Sequence, residues 1–157
     1  MCAYNAWTLA SDAAIEDLMM QSRKFEYDVI GLTETWRRHS LNAVYDTGEL
    51  FLRKCDSKGV GGVGVLVNTS MTVNIDSFEQ LTTRIGGLRV KRCGSTPALT
   101  IFVVYAPTSN YEEKEEKEEV EAFYMDLEKF YREDHAFYKV IISDFNAKIF
   151  YWPKKNA

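Results

Sequence analysis

Five polar residues of this 157-residue chain stand where short apolar runs end: Asn5, Glu34, Tyr105, Asp144 and Asn146. Two of them are carboxylates, the group that a divalent-metal site requires. If the runs are neighbouring strands, their ends converge on one edge of a sheet, where catalytic residues collect. Taken singly, such a residue forms a turn or a helix cap in about four cases of five. The ordered set of five therefore carries the hypothesis of a site.

The strands that would position these residues are visible as apolar runs. Residues 27–34 and 138–144 each form a short buried run that ends in a carboxylate. Residues 99–105 are apolar on both alternating faces, which predicts a central strand covered on both sides. Further strands are predicted at 49–54, 62–68, 71–75 and 87–93, separated by turn residues at the spacing of a β-meander.

Two helices are predicted from apolar residues at helical spacing. The first is capped by Ser11 or Asp12 and runs to about Lys24. The second runs from 112 to about 133. Their apolar faces are formed by Ile15, Leu18, Met19 and Ser22 in the first helix, and by Val120, Phe123, Tyr124, Leu127, Phe130 and Tyr131 in the second.

The second helix begins with an acidic run, residues 112–119. About four of five such runs are solvated helix starts, because acidic residues favour a helix N-terminus, and we interpret this run in the same way. The alternative is a metal-binding or histone-binding segment.

Length and charge limit the class of protein. A chain of 157 residues with 46% apolar residues can bury one core, which predicts a single domain. The net charge of −4 disfavours binding of nucleic acid by bulk attraction, so contacts with phosphate would need local basic patches. The candidates are Arg37-Arg38 and the group Arg89, Lys91 and Arg92.

Cysteine usage and hydropathy predict an intracellular protein, nuclear or cytoplasmic and not secreted. Cys2, Cys55 and Cys93 are odd in number and widely spaced, which predicts reduced thiols rather than disulfides or a zinc site. No apolar stretch is long enough to cross a bilayer, and the first residues lack the pattern of a signal peptide. We therefore expect no membrane partner.

One motif is a decoy. Residues 59–64 satisfy the pattern GxGxxG of dinucleotide-binding loops. That loop must open a helix, whereas these residues lead into Val65-Leu66-Val67, which predicts a strand. We interpret the glycines as turn and strand residues.

Four motifs together resemble the endonuclease/exonuclease/phosphatase (DNase I-like) superfamily. They are Tyr4-Asn5-Ala6, Gly31-Leu32-Thr33-Glu34-Thr35, Val104-Tyr105-Ala106-Pro107-Thr108 and Ser143-Asp144-Phe145-Asn146-Ala147-Lys148, and they occur in the family's order. The subgroup that the chain resembles is the apurinic-type endonuclease domain of non-LTR (LINE-like) retrotransposons and the craniofacial development protein-like chains. The resemblance implies an α+β fold, the N-terminal part of a four-layer α/β/β/α sandwich.

The resemblance also implies a reaction and a role for each residue. The reaction is hydrolysis of a DNA phosphodiester with Mg²⁺, or with Mn²⁺ as the alternative cofactor, and a reverse transcriptase domain accompanies the ancestral enzyme. Glu34 would bind the metal with support from Asn5. Asp144 would orient or deprotonate the attacking water, Asn146 would bind the scissile phosphate, and Tyr105 would contact the phosphate or the nucleophile.

The chain departs from the family's pattern after residue 148. The family completes its site with a later Asp and a Ser-Asp-His motif, for which no match is found, and we expect residues 149–157 to lie outside the family domain at 1–148. His39 and His135 are the only histidines, each a substitute catalyst in about one case of twenty.

Three functions follow as expectations. The first is a retrotransposon-type endonuclease whose catalysis is impaired in an incomplete domain. The second is a non-catalytic module that binds metal or nucleic acid weakly. The third is a phosphatase of the same fold that acts on small phosphoesters.

Overall fold

In the residues that it describes, the computed structural model contains two five-stranded sheets and three helices. It describes residues 2–5, 12–24, 27–57, 61–91, 97–107, 114–143 and 149–151, with backbone alone at 2–5, 114–116 and 149–151. The elements in chain order are β1 (Cys2–Asn5), α1 (Asp12–Ser22), β2 (Val29–Thr33), β3 (Leu41–Val44), β4 (Gly48–Leu52), β5 (Val63–Asn68), α2 (Thr69–Thr72), β6 (Ile75–Thr82), β7 (Ile85–Val90), β8 (Leu99–Val104), α3 (Lys114–Glu133), β9 (Tyr138–Ser143) and β10 (Ile149–Tyr151).

Each sheet combines one parallel pair with antiparallel neighbours. The first sheet has the order β1-β2-β5-β4-β3, and the second has the order β10-β9-β8-β7-β6. The parallel pairs are β1 with β2 and β8 with β9. A meander is present in β6, β7 and β8, although β6 is not among the predicted strands, and β8 occupies the predicted central position of its sheet.

The two sheets pack face to face over a core of aliphatic side chains. This core includes Val29, Val63, Val65, Val67, Phe78, Leu88, Ile101, Val103, Val140 and Ile142. The approach is closest at Gly31, where a Cβ atom would lie 3.0 Å from Ile142 Cγ2 and 3.3 Å from Val103 Cγ1. A side chain at position 31 would therefore push β2 away from β8 and β9.

A helix covers the outer face of each sheet. Ile15, Leu18 and Met19 of α1 pack on the first sheet, and Ser22 is buried on the same face, as the helical spacing predicts. Phe123 of α3 packs on the second sheet beside Phe102. Tyr124 differs from prediction, because it is 57% exposed. The four layers confirm the predicted α/β/β/α sandwich. Among the described residues, no helix is long and apolar enough to span a membrane.

The strand predicted at 71–75 is wrong. Residues Thr69–Thr72 form the short helix α2, because the Asn68 side chain caps it by accepting a hydrogen bond of 2.9 Å from the Ser70 N–H. The next strand, β6, begins only at Ile75 and was not predicted. It lies at the edge of its sheet and buries only Phe78, so its sequence lacks the alternation that marks a half-buried strand.

Candidate functional site

Glu34 directly follows β2, at the end where β1 also finishes. The two strands are parallel, and Asn5 pairs with Thr33 in register, so the backbone of Asn5 lies beside the residue that precedes Glu34. Glu34 itself is half-buried. The first sheet thus brings these two predicted site positions to one edge.

Tyr105 directly follows β8, at the end where β9 also finishes. These strands are parallel as well, and Val104 pairs with Ser143. The predicted residues Asp144 and Asn146 follow Ser143 and lie outside the described residues. The second sheet therefore places Tyr105 beside the strand end from which Asp144 continues.

Backbone hydrogen bonds join the two edges into one. The Thr35 N–H donates to the Gly62 carbonyl at 3.4 Å, and the Gly62 N–H donates to the Thr83 carbonyl at 3.0 Å. The Tyr105 N–H donates to the Arg84 carbonyl at 2.9 Å. The ends of β2 and β8 consequently lie at the same edge of the sandwich. We call this edge the rim and define it as residues 33–36, 61–62, 83–84 and 105.

The backbone of the rim is strained on both sides of a buried threonine. Glu34 has φ of 53° and Trp36 has φ of 51°, in the left-handed region that residues with a side chain rarely adopt. Thr35 between them is fully buried, and its hydroxyl donates to the Arg53 carbonyl at 3.3 Å. Such strain persists only where the surroundings hold it, and it concentrates at functional sites. The rim therefore holds the Glu34 backbone in a defined conformation.

Gly62 makes this turn possible. Its φ is 91°, and a Cβ atom there would collide with the Thr35 hydroxyl and lie 3.3 Å from the Arg53 carbonyl oxygen. Neighbouring Gly61, with φ of 83°, accepts a hydrogen bond of 3.3 Å from the Trp36 N–H. Gly61 and Gly62, which belong to the GxGxxG decoy at 59–64, thus serve a turn that leads into strand β5, as predicted, while Gly59 lies outside the described residues.

Arg84 contacts Tyr105, and sequence reasoning did not identify it. Its guanidinium carbon lies 5.0 Å from the centre of the Tyr105 ring, a cation–π contact. Its Nη2 donates to Glu119 Oε1 of α3 at 3.1 Å, and its Nη1 is buried without a hydrogen-bond partner among the described residues. The contacts of Arg84 are visible only in the tertiary structure, since residues 84, 105 and 119 are distant in sequence.

Arg53 connects the rim to strand β6 of the opposite sheet. Its guanidinium lies 5.1 Å from the centre of the Phe78 ring and donates to the Phe78 carbonyl at 2.9 Å and to Asn42 Oδ1 at 2.7 Å. Burial lowers the pKa of the Arg53 guanidinium, because desolvation disfavours the charged form. Arg53 therefore joins β4 to β6 of the opposite sheet while its carbonyl holds Thr35.

The donors near Glu34 suit a hard cation. Carboxylate and amide oxygens are the ligands of Mg²⁺, which needs only one or two carboxylates when substrate phosphate supplies the rest. Glu34 offers one such carboxylate, and Thr33 adds a buried hydroxyl with no hydrogen-bond partner among the described residues. In that described part of the chain, no three His, Cys, Asp or Glu residues cluster as a complete metal site. The residues present are compatible with a metal held by few protein ligands.

Two grooves of the described residues lie away from the rim. Two adjoining grooves of about 210 and 390 Å³ flank the end of α3 on the outer face of the second sheet. Arg89 lines both and pairs with Glu79 and Asp134, each at 3.6 Å. Of the predicted basic patch Arg89, Lys91 and Arg92, Arg89 has its charge compensated by two carboxylates, and Arg92 lies outside the described residues. We place the candidate site at the rim, where strain and strand ends coincide.

Replacing Arg84 by methionine is expected to lower the free energy of unfolding by about 1 to 2 kcal/mol, through loss of the stack on Tyr105. Glu119→Gln should cost less, about 0 to 1 kcal/mol, because the Glu119 carboxylate is 55% exposed and such pairs contribute little. Urea unfolding of both variants measures the difference. Equal losses would show that the ion pair, not the stack, holds Arg84.

Comparison with known proteins by sequence finds no matching family model and no matching curated protein. By structure, the chain is similar to the catalytic domain of APE2 from Xenopus laevis, with a TM-score of 0.68 and 17% identity over 93% of this chain and 58% of that one. It is also similar to the AP endonuclease LMAP from Leishmania major, with a TM-score of 0.63 and 16% identity over 92% and 54% of the chains.

A third similar structure is the 3′ phosphatase NExo from Neisseria, bound to a product DNA hairpin. Its TM-score is 0.62, with 12% identity over 92% of this chain and 56% of that one. Together these similarities show the fold, which is that of the DNase I-like nucleases and phosphatases. This chain spans between 54% and 58% of the length of these three chains.

Proposed function

We propose that this chain carries the rim of a divalent-metal-dependent phosphodiester hydrolase that acts on DNA. The observation that supports it most is the strained turn holding Glu34 at the edge where the ends of β2 and β8 meet. The similarity in fold to an AP endonuclease and to a 3′ phosphatase bound to DNA supports the same class of reaction. Within that class, the motif resemblance favours the retrotransposon type, in which a reverse transcriptase domain accompanies the endonuclease.

Each residue is assigned a step that its chemistry allows. Glu34, supported by Asn5, would hold Mg²⁺, with Mn²⁺ as an alternative. When bound, the metal would stabilise negative charge on the scissile phosphate. Tyr105 would donate its hydroxyl to a phosphate oxygen. Asp144 would take the proton of the attacking water, and Asn146 would donate its amide hydrogens to the phosphate.

Arg84 is proposed to position Tyr105 rather than to react. Its guanidinium lies against the ring and its carbonyl accepts the Tyr105 N–H, so both the backbone and the ring of Tyr105 are held from one side. A positive charge over the ring also favours a negative charge near the Tyr105 hydroxyl. This arrangement suits a side chain that must meet a phosphate oxygen.

A plasmid-nicking assay tests the proposal. The full chain is incubated with supercoiled DNA in Mg²⁺ and, as a control, in EDTA. We expect slow formation of nicked circles in Mg²⁺ and none in EDTA, because catalysis is expected to be impaired. We expect Asp144→Asn to reduce this rate further, roughly 100-fold or more, as loss of a general base does. Asp126→Asn is the matched control, because Asp126 is exposed on α3 away from the strand ends.

Other outcomes distinguish the alternatives. DNA binding without nicking by a folded sample would contradict hydrolysis and support a binding module. Release of phosphate from a 3′-phosphorylated hairpin, with plasmid intact, would replace the endonuclease by a phosphatase acting on DNA ends. Release from a small aryl phosphate alone would support the phosphatase of small phosphoesters.

A further inference from the structure

Trp36 is an exposed aromatic side chain on the strained turn of the rim. It is 40% exposed, although indole side chains are usually covered, and it lies two residues after Glu34. Its φ of 51° is a rare conformation for a bulky residue. An isolated exposed apolar residue needs no explanation, but one held on strained backbone next to a candidate metal ligand does.

The Trp36 turn is fixed from both sides. The Trp36 N–H donates to the Gly61 carbonyl at 3.3 Å, and the Arg37 carbonyl accepts the Cys55 N–H at 2.7 Å. The preceding residue, Thr35, is fully buried. The indole is therefore held by a rigid backbone, so less conformational entropy of the protein is lost when a ligand stacks there.

The residues that follow Trp36 are basic. Arg37, Arg38 and His39 continue the turn, and Arg38 and His39 are exposed. Arg38 differs from Arg89 because it has no ion pair with a carboxylate among the described residues. Its positive charge is thus uncompensated in that part of the chain, although the total charge of the chain is −4. An aromatic ring beside cations is the combination that binds single-stranded nucleic acid, since bases stack on the ring while cations meet the phosphates.

We infer that Trp36 is a stacking platform for an unpaired nucleobase of the DNA strand that occupies the rim. The inference deepens the proposed function and rests on it for the identity of the ligand as DNA. It names a preference that the hydrolytic residues do not provide: a base that is out of the duplex exposes a face to the indole, whereas both faces of a base inside the duplex are covered by its neighbours. Trp36 thus determines which local DNA structure is placed beside Glu34.

Binding is measured by fluorescence anisotropy with a short labelled single strand, in EDTA so that hydrolysis cannot occur. The matched ligand is an abasic strand of equal length, which keeps the phosphates and lacks the bases. Trp36→Ala is expected to weaken binding of the base-bearing strand about tenfold and to leave binding of the abasic strand unchanged. Trp36→Phe, which keeps a ring, should retain most of the affinity.

Two further variants separate stacking from folding. Trp36→Gly removes the ring, and glycine adopts the positive φ without strain. This variant should therefore bind as weakly as Trp36→Ala, and its temperature of unfolding should be no lower than that of Trp36→Ala. Phe137→Ala removes an exposed ring that is 58% accessible and precedes β9, at the end of the sandwich opposite the rim. That variant should bind as the unchanged chain does.

An equal loss on both strands, or no loss with Trp36→Ala, would overturn the inference. The nicking assay is read separately. Selective binding through Trp36 without nicking would contradict the nuclease proposal alone. Glu34-dependent nicking with Trp36→Ala binding as tightly as the unchanged chain would contradict this inference alone.

Discussion

Replacing Glu34 by glutamine is expected to slow plasmid nicking in Mg²⁺ about 100-fold. The reason is that the carboxylate that would hold the metal is lost, and with it the positive charge of the metal beside the reacting phosphate. Glutamine keeps the shape of the side chain and can occupy the same backbone conformation, with φ of 53°. The temperature of unfolding should therefore remain that of the unchanged chain. Initial nicking rates at several Mg²⁺ concentrations, with circular dichroism melts, measure both quantities.

Glu128→Gln is the matched control for Glu34. Its side chain is 76% exposed on α3 and, among the described residues, forms an ion pair with Arg132, one helical turn away. The same loss of one negative charge should leave nicking unchanged there. A Glu34→Gln chain that nicks at the normal rate would exclude Glu34 as a metal ligand. Partial recovery at high Mg²⁺ would instead support the assignment, because weaker metal binding is then overcome by concentration.

Replacing Gly62 by alanine is expected to lower the free energy of unfolding by about 2 to 4 kcal/mol. A side chain at φ of 91° costs about 1 to 2 kcal/mol by itself, and the added Cβ atom must also displace the Thr35 hydroxyl. Because Thr35 lies between Glu34 and Trp36, the folded fraction should also lose nicking and binding of single strands. Urea unfolding followed by tryptophan fluorescence measures the free energy.

Gly87→Ala provides the comparison. A Cβ atom at Gly87 would lie 3.5 Å from Leu81 Cδ1, an ordinary van der Waals contact, and its backbone is part of strand β7. Its free energy of unfolding should change by less than about 1 kcal/mol in either direction. If Gly62→Ala were as mild as Gly87→Ala, the turn at the rim would be more adaptable than its contacts indicate.

Elements with strong local periodicity were predicted from sequence. The α1 face of Ile15, Leu18 and Met19 is buried as its helical spacing requires. The bounds of β2, β5 and β8 differ from the predicted ranges by at most two residues. These predictions succeed because the pattern of burial is written in neighbouring residues. Edge strand β6 and helix α2 escaped prediction, since a side-chain cap and strand pairing override weak local preference.

The sequence by itself determined which polar residues end the strands and in which order they occur. Glu34 and Tyr105 are found at strand ends as predicted, while their roles, and those of Asn5, Asp144 and Asn146, remain predictions. This much is local information, because a strand and the residue that follows it are adjacent in the chain.

Only the tertiary structure decided which strand ends meet and what holds them. The bonds from Thr35 to Gly62 and from Gly62 to Thr83 join segments far apart in sequence, and so does the stack of Arg84 on Tyr105. No periodicity encodes such contacts, because they depend on how two sheets are placed against each other. The strained backbone of Glu34 and Trp36 has the same origin, since a positive φ in these residues is stable only when distant partners enforce it.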